Sequence, residues 1–414
     1  MLIFTMILSH YELKTKILAE RYNSIIFEVG KNRDLYLVGG YIRDIFRGIH
    51  SPDRDYIVSG DIRTFVKEIR KVIGGTLVKF KKGDMIRIAF KDGLTFDFSK
   101  LIGTLKEDLS KRDFTINAIA WSPEKEIIDL CNGLEDLKRK RIRSLSSENL
   151  ISDPLRMLRA YRFAAEINGS IEKGTRDSIK TLNNNIKKVS SERITLELFN
   201  LLNSKHSARY LKMALSDGLL TDILSIPYRN LERSIKEISK LEQTTINKLP
   251  SKIQALLKRI FSQNLTYKGL FCLELLIIPP HPPLVKGGRG DFQVKIKMSS
   301  AINKRLELSH KGIKELKRKG VDLKNRLFDI FLISKEAAPD ILIIKGRLDL
   351  IKDYQRFKRI WNKGFLSSED IISITDVKPG PKLGKIIIEL KRAQFEGRIR
   401  SKRAAIKFIE KLRG

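Results

Sequence analysis

Residues 36–55 read YLVGGYIRDIFRGIHSPDRD, and the fold of the head follows from them. Leu35–Val38 is a short apolar run ended by Gly39 and Gly40, which predicts a buried strand followed at once by a helix over YIRDIFRG. DRDYIVSG predicts a second strand. Glycine lets backbone approach a bulky anion, and a helix N-terminus offers free N–H groups to phosphate. Arg43, one turn in, adds a charged fork. Asp53 and Asp55 stand at i and i+2 of a strand and so point to one side. Two carboxylates beside a phosphate cradle make a site for Mg²⁺. Bound metal ions can activate an attacking hydroxyl and stabilise a leaving pyrophosphate. Asp97, in TFDFSK, is a candidate third carboxylate, ranked below a solvent-facing role.

Outward from this stretch, residues 1–30 carry a mixed apolar and charged pattern that reads as helix. DIRTFVKEIRKVI predicts an amphipathic helix with Ile62, Phe65, Val66, Ile69, Val72 and Ile73 on its apolar side. The alternating TLVKFKKGDMIRIAFKDGLTFDFSK, with turn signals at Lys82-Gly83-Asp84 and Lys91-Asp92-Gly93, predicts a hairpin. From Ser152 onward the pattern is almost wholly helical. The plan is α+β: an α/β head at 1–140, a helical neck and RNA-binding region at 141–235, and a helical body and tail at 236–414. No internal repeat is found. PPHPPLVKGGRG, at Pro279–Gly290, holds four of the twelve prolines and three glycines between two ordered-looking segments. It predicts a loop insertion rather than a phosphate loop or a polyproline ligand.

The chain has 414 residues, with 81 Lys and Arg against 48 Asp and Glu, a formal net charge of +33. That field attracts polyanions, nucleic acid first and anionic membrane second. The excess is interleaved with apolar residues at helical spacing; residues 391–414 carry nine Lys and Arg against two Glu. Folded helices with a basic face fit this better than a disordered tail. An apolar content of 42% supports sizeable cores. Two cysteines, Cys131 and Cys272, exclude a zinc cluster and a disulfide-built secreted scaffold. MLIFTMIL has no basic n-region or cleavage site, and no apolar run approaches a membrane span, so a cytoplasmic protein is expected.

In the neck, Ser152-Asp153-Pro154 opens a helix that Asp153 can cap. Arg156, Arg159 and Arg162 recur every three residues and share one side. Leu155, Leu158 and Phe163 are assigned to packing. The arginines lead toward the head, where they can meet base and triphosphate.

VGGYIRD, the fourteen-residue step from Gly39 to Asp53, and DRD together resemble the nucleotidyltransferase head of the class II tRNA nucleotidyltransferase and poly(A) polymerase family. KRDFTINAIAW is similar to that family's R-R-D-F-T-I-N-A motif, with Lys111 for the first Arg. The resemblance implies a polymerase β-like head and an all-α neck, body and tail. It implies that Arg112, Asp113 and Asn117 hold the incoming nucleotide, with Asp113 and Asn117 near its ribose hydroxyl. SDPLRMLRAYRF resembles the family's E-D-x-x-R and L-R-A-x-R-F. There the Asp and Arg, here Asp153 and Arg156, pair with the Watson–Crick edge of CTP or ATP. Ser152 stands in place of the Glu. SERITLELFNLL resembles an E-R-I motif whose Glu192 and Arg193 brace the neck. Pro379, Gly380, Pro381 and Gly384 resemble a P-G-P-x-x-G turn opening a helix near RNA phosphates. The resemblance runs from Tyr36 to Ile409.

These features imply an enzyme that adds C and A to the tRNA 3′ end from CTP and ATP with Mg²⁺ and releases pyrophosphate. Asp53 and Asp55 are its catalytic and metal residues. Gly39, Gly40, Arg43, Arg112, Asp113, Asn117, Asp153, Arg156, Arg159 and Arg162 are its nucleotide-binding residues. No membrane partner is expected. A CC-only enzyme, whose mark is the short segment from Phe98 to Glu107, a poly(A) polymerase and a non-catalytic RNA-binding protein stand as alternatives.

Overall fold

The computed structural model describes residues 9–79, 85–277, 296–318 and 322–412. These fall into two compact units. The first runs to Glu232 and takes in Ile296 and Lys297; the second comprises the remainder. The Pro279–Gly290 insertion lies outside the described residues.

The first unit opens with α1 (His10–Ala19) and α2 (Arg21–Val29). Then follow β1 (Leu35–Val38), α3 (Gly40–Phe46), β2 (Asp53–Val58) and α4 (Ile62–Ile73). The alternating stretch forms β3 (Thr76–Lys79), β4 (Met85–Ala89) and β5 (Thr95–Lys100). It is therefore a three-stranded meander rather than a single hairpin. The Lys91-Asp92-Gly93 signal makes its second turn, with Gly93 at φ +92°; the Lys82-Gly83-Asp84 signal lies outside the described residues. After α5 (Leu105–Ser110), β6 (Ala120–Ser122) and β7 (Glu126–Ile128) complete a sheet of order β3-β4-β5-β2-β1-β6-β7. Only β2 and β5 pair in parallel within it; the other neighbours are antiparallel.

The period of two along β2 divides its residues between two environments. Tyr56 and Val58 join the core built with α1, α2 and α4, while Ile57 joins the core on the other face with Val38, Leu109 and Ala120. Asp53 and Asp55 lie on the Ile57 face, at the end where α3 begins. Arg54 lies on the opposite face, 1% exposed, its guanidinium over the rings of Tyr41 and Phe96 and paired with Glu20. Ile62, Phe65, Val66, Ile69 and Ile73 of α4 are buried as expected, but Val72 is exposed because Ile73 fills the last covered position.

The helix α6 (Gly133–Lys138) follows the sheet, and the neck contributes α7 (Ser147–Ser152), α8 (Leu155–Ile167), α9 (Lys173–Leu182) and α10 (Ser191–Asn203). Fully buried Asp136 of α6 accepts from Thr115 Oγ1 (2.7 Å), Arg141 Nε (2.5 Å) and Arg143 Nε (2.8 Å). Burial alone would raise its pKa; these donors hold it below the ordinary value. The helix α6 and the Arg141–Arg143 segment are thereby joined to the loop that carries Arg112–Asn117.

Among its described residues the second unit is helical apart from the short strands Ile260–Ser262 and Leu265–Thr266. Phe328, Phe331, Phe357 and Phe395 form the centre of one of its cores. Pro381 opens the helix Pro381–Phe395, so the P-G-P-x-x-G run is a turn into a helix. Both cysteines are free thiols. Among the described residues, no helix is long and apolar enough to cross a membrane.

Candidate active site

β2 carries the two aspartates into a cleft between the head and the neck helices of the first unit. Asp53 is exposed, and its Oδ1 accepts from Thr95 Oγ1 (2.5 Å), its neighbour across the parallel ladder. Asp55 lies between Val38 of β1 and Asp97 of β5. Its carboxylate accepts no hydrogen bond among the described residues. Burial pushes its pKa up to about 6; Asp97 and Asp53 add to the rise, and Arg112 opposes it. Asp97 is not solvent-facing. It is 9% exposed, and both oxygens accept from Arg87 Nε and Nη2 at 2.6 Å. Arg87 is its register partner on β4, so the ion pair closes where the strands meet.

Gly39 is the N-cap of α3 with φ +78°, a conformation glycine adopts without strain. A Cβ there would stand 2.8 Å from Arg112 Nη1 and 3.6 Å from Asp55 Oδ2. The bare backbone therefore leaves room for the Arg112 guanidinium beside the aspartate. Arg112 Nε is buried without a hydrogen-bond partner. Arg43 does not reach out as a free fork. It is buried, with Nε and Nη2 on Asp44 (3.0 and 2.9 Å) and Nη1 on Asn117 Oδ1 (2.6 Å).

Asn117 in turn donates to Asp113 Oδ1 (2.9 Å), which also accepts from the Phe114 N–H (2.8 Å). Arg159 of α8 donates twice to Asp113 Oδ2 and reaches Glu197 of α10 (3.0 Å). Burial would raise the Asp113 pKa, but Arg159 and these donors hold it below the ordinary carboxylate value. Arg162 joins Glu197 and Glu166, each at 2.6 Å. Phe163 is not simply core. Arg43, Arg159 and Arg162 have their guanidinium carbons 4.9, 5.1 and 3.8 Å from its ring centroid. The ring's negative face steadies three cations that would otherwise repel.

Asp153 caps α8 through Leu155 N (3.3 Å) and accepts from Arg193 Nη2 of α10 (2.8 Å). Arg156 donates to the backbone carbonyls of Arg112 (3.3 Å) and Asn149 (3.2 Å). Ser152 does not face this pair; its hydroxyl returns to Asn149 O (3.0 Å). Of the E-R-I residues, Glu192 pairs with Lys297 (2.8 Å), and Arg193 alone reaches the cleft.

All twelve residues singled out in the sequence line this one cleft, of about 450 Å³. Sequence reasoning missed Tyr41, Asp44, Ser51 and Phe163, and gave Arg193 only a bracing role. The step of four from Arg159 to Phe163 was a signal for one of them, since it puts both on one helix face. The donor set suits a hard divalent cation: two carboxylates on one strand face, one without a hydrogen-bond donor and raised in pKa by burial, with the neighbouring carboxylates adding to the rise. Asp97 is spoken for by Arg87, so the protein offers two carboxylates there rather than three.

Two family models match the chain: the poly A polymerase head domain over residues 89–143, and the probable RNA and SrmB-binding site of polymerase A over residues 170–229. A CC-adding tRNA nucleotidyltransferase of Synechocystis sp. is 28% identical over 91% of this chain and 93% of its own length. A CCA-adding enzyme of Lactobacillus delbrueckii is 36% identical over 45% of this chain and 50% of its own. Among solved structures, the Thermotoga maritima CCA-adding enzyme complexed with tRNA superposes with a TM-score of 0.72 at 20% identity. That match covers 95% of this chain and 97% of the other, and it shows a shared fold.

Proposed function

We propose, on the premise that this chain belongs to the tRNA nucleotidyltransferase and poly(A) polymerase family, that it adds C and A residues to the tRNA 3′ end without a nucleic-acid template. The observation that carries the proposal is the convergence of Asp53, Asp55, the Gly39 turn, Arg112 and the Asp153–Arg156 pair on one cleft. In this reading the terminal 3′-hydroxyl oxygen bonds to the α-phosphorus of CTP or ATP. The bond from that phosphorus to the bridging oxygen breaks, and pyrophosphate leaves. Asp53 and Asp55 are the groups that would hold Mg²⁺, which when bound supplies positive charge to the reacting phosphate.

The geometry supports the remaining roles. Gly39, Gly40 and the start of α3 cradle the triphosphate, and the orphaned Nε of Arg112 gains an acceptor there. Arg43, Asn117, Asp113 and Arg159 are already bonded in a chain that Glu197 extends to Arg162, and together they form the preorganised wall behind the nucleotide. Asp153 accepts from the exocyclic amine of C or A, and Arg156 donates to the neighbouring ring nitrogen. Residues 1–140 act as head, 141–235 as neck and 236–414 as body and tail, in the cytoplasm with tRNA.

A CC-only activity is the second reading. The connection from β5 to α5 is just Leu101–Thr104, and the Synechocystis relative matched along nearly its whole length is CC-adding. Incubation with tRNA lacking its CCA, using CTP alone, ATP alone and both, decides between them by sequencing of product ends. Ends at CCA support the main reading and ends at CC the second. Long A runs with ATP alone mark a poly(A) polymerase, and unchanged ends refute all three.

A further inference from the structure

We infer that a pocket within the second unit takes an unpaired nucleobase displayed by a folded RNA; the inference rests on the proposal that tRNA is the substrate. The pocket has a volume of about 730 Å³. The helix Ile351–Asn362 forms one wall, the end of the helix Pro381–Phe395 another, and the turns that follow them close it.

Three features define the occupant. First, Gln394 is 5% exposed, and its Nε2 is buried without a hydrogen-bond partner. A buried amide donor left unmet in the free protein calls for an acceptor brought by a ligand. Second, Phe365 lines the same pocket yet is 40% exposed, leaving aromatic surface open beside the aliphatic Ile360 and Ile399. Third, the rim is cationic. Arg356, Lys363 and Arg400 line it, and its one carboxylate, Glu396, is held by Arg398 at 2.6 Å.

An aromatic face, an amide donor recessed behind it and cations around the mouth match a base with its flanking phosphates. Every base has a π-face to stack and a carbonyl or ring nitrogen to accept from Gln394. The phosphates on either side lie against the cations. An apolar protein segment would leave those cations without partners. An acidic peptide would leave Phe365 without a stacking partner.

The test uses the full chain and a tRNA transcript. Phe365→Ala should weaken binding about tenfold, and Gln394→Leu severalfold. Neither should change the slope of log affinity against log salt, because stacking and amide bonding release no counterions. Lys363→Ala should lower that slope by about one. Nucleotide incorporation at saturating tRNA should stay at the wild-type rate, with only KM for tRNA raised. Thermal melting checks folding, and Gln394→Leu carries the test if Phe365→Ala melts early. Wild-type affinity in the folded variants would overturn the inference and leave the pocket to a protein partner. Displacement of tRNA by millimolar CMP or UMP that disappears in Phe365→Ala would assign the pocket to free nucleotides, overturning it as stated. Absence of tRNA binding by the wild type would instead refute the proposed function itself.

Discussion

Asp55 and Asp97 are register partners across the parallel β2–β5 ladder, and only Asp97 is neutralised. Arg87 takes both oxygens of Asp97 at 2.6 Å, while Asp55 keeps a pKa of about 6 against an ordinary 3.8. The strand β2 thus carries an unneutralised carboxylate at the place proposed for the cation.

Removing that charge should stabilise the metal-free protein. Between pH 3.8 and about 6 the folded state holds a proton that the unfolded chain has lost. Stability therefore falls as pH rises through this window and stays lower above it. Asp55→Asn removes the cost, at most about 3 kcal/mol and less after solvent screening. The variant should melt higher than wild type near neutral pH, converge with it at acid pH, and transfer no nucleotide. Equal melting at neutral pH would refute the stored charge.

Arg87→Ala should have the opposite effect. It leaves Asp97 buried and unpaired beside Asp55, which costs about 2 kcal/mol for a pair with one partly exposed member. Adding Asp97→Asn should recover most of the loss. Urea unfolding of the two variants measures both, and a double variant no better than the single one would break the proposed coupling.

Asp53→Ala should abolish incorporation while tRNA affinity remains near the wild-type value, because binding and chemistry draw on different residues. In both proteins the affinity should fall steeply as salt rises and be indifferent to the anticodon, as expected when a +33 chain docks on phosphates. Substantial incorporation by the mutant, or a flat log–log salt plot, would contradict these assignments.

Arg156→Ala should relax the choice among nucleotides more than it slows the reaction. A mismatched edge leaves buried polar groups unpaired at about 1–3 kcal/mol each, and that penalty is what the mutant loses. Arg193→Ala should produce a smaller loss of selection, since it frees Asp153 without removing it. Incorporation of all four nucleotides at equal concentration checks both. An unchanged preference with a lower overall rate would make Arg156 a packing or phosphate residue.

The linear pattern was legible wherever chemistry depends on near neighbours. The Gly39 turn, the i and i+2 aspartates and the three-residue arginine step each express the geometry of one strand or helix. What stayed hidden depends on pairing across the fold. Arg87 stands ten residues before Asp97, and their contact exists only because β4 and β5 take one register. Phe163 reads as core by hydropathy; its part in gathering Arg43 becomes visible only when α3 and α8 meet. Arg159 looked like a free phosphate ligand because its acceptors, Asp113 and Glu197, lie 46 and 38 residues away, and Arg43 because the tie to Asn117, 74 residues away, is invisible beside the adjacent Asp44.

Arg54 sits between the two aspartates in sequence and on the reverse side of the sheet in space. A strand that slipped by one residue would exchange them, withdrawing two negative charges from the cleft and thrusting a guanidinium into it. Such a misfolded head would not be a feeble catalyst. It would lack both carboxylates that the proposed chemistry needs. The rings of Tyr41 and Phe96 and the carboxylate of Glu20, by giving Arg54 a berth below the sheet, act as a proofreading device for the polarity of the site.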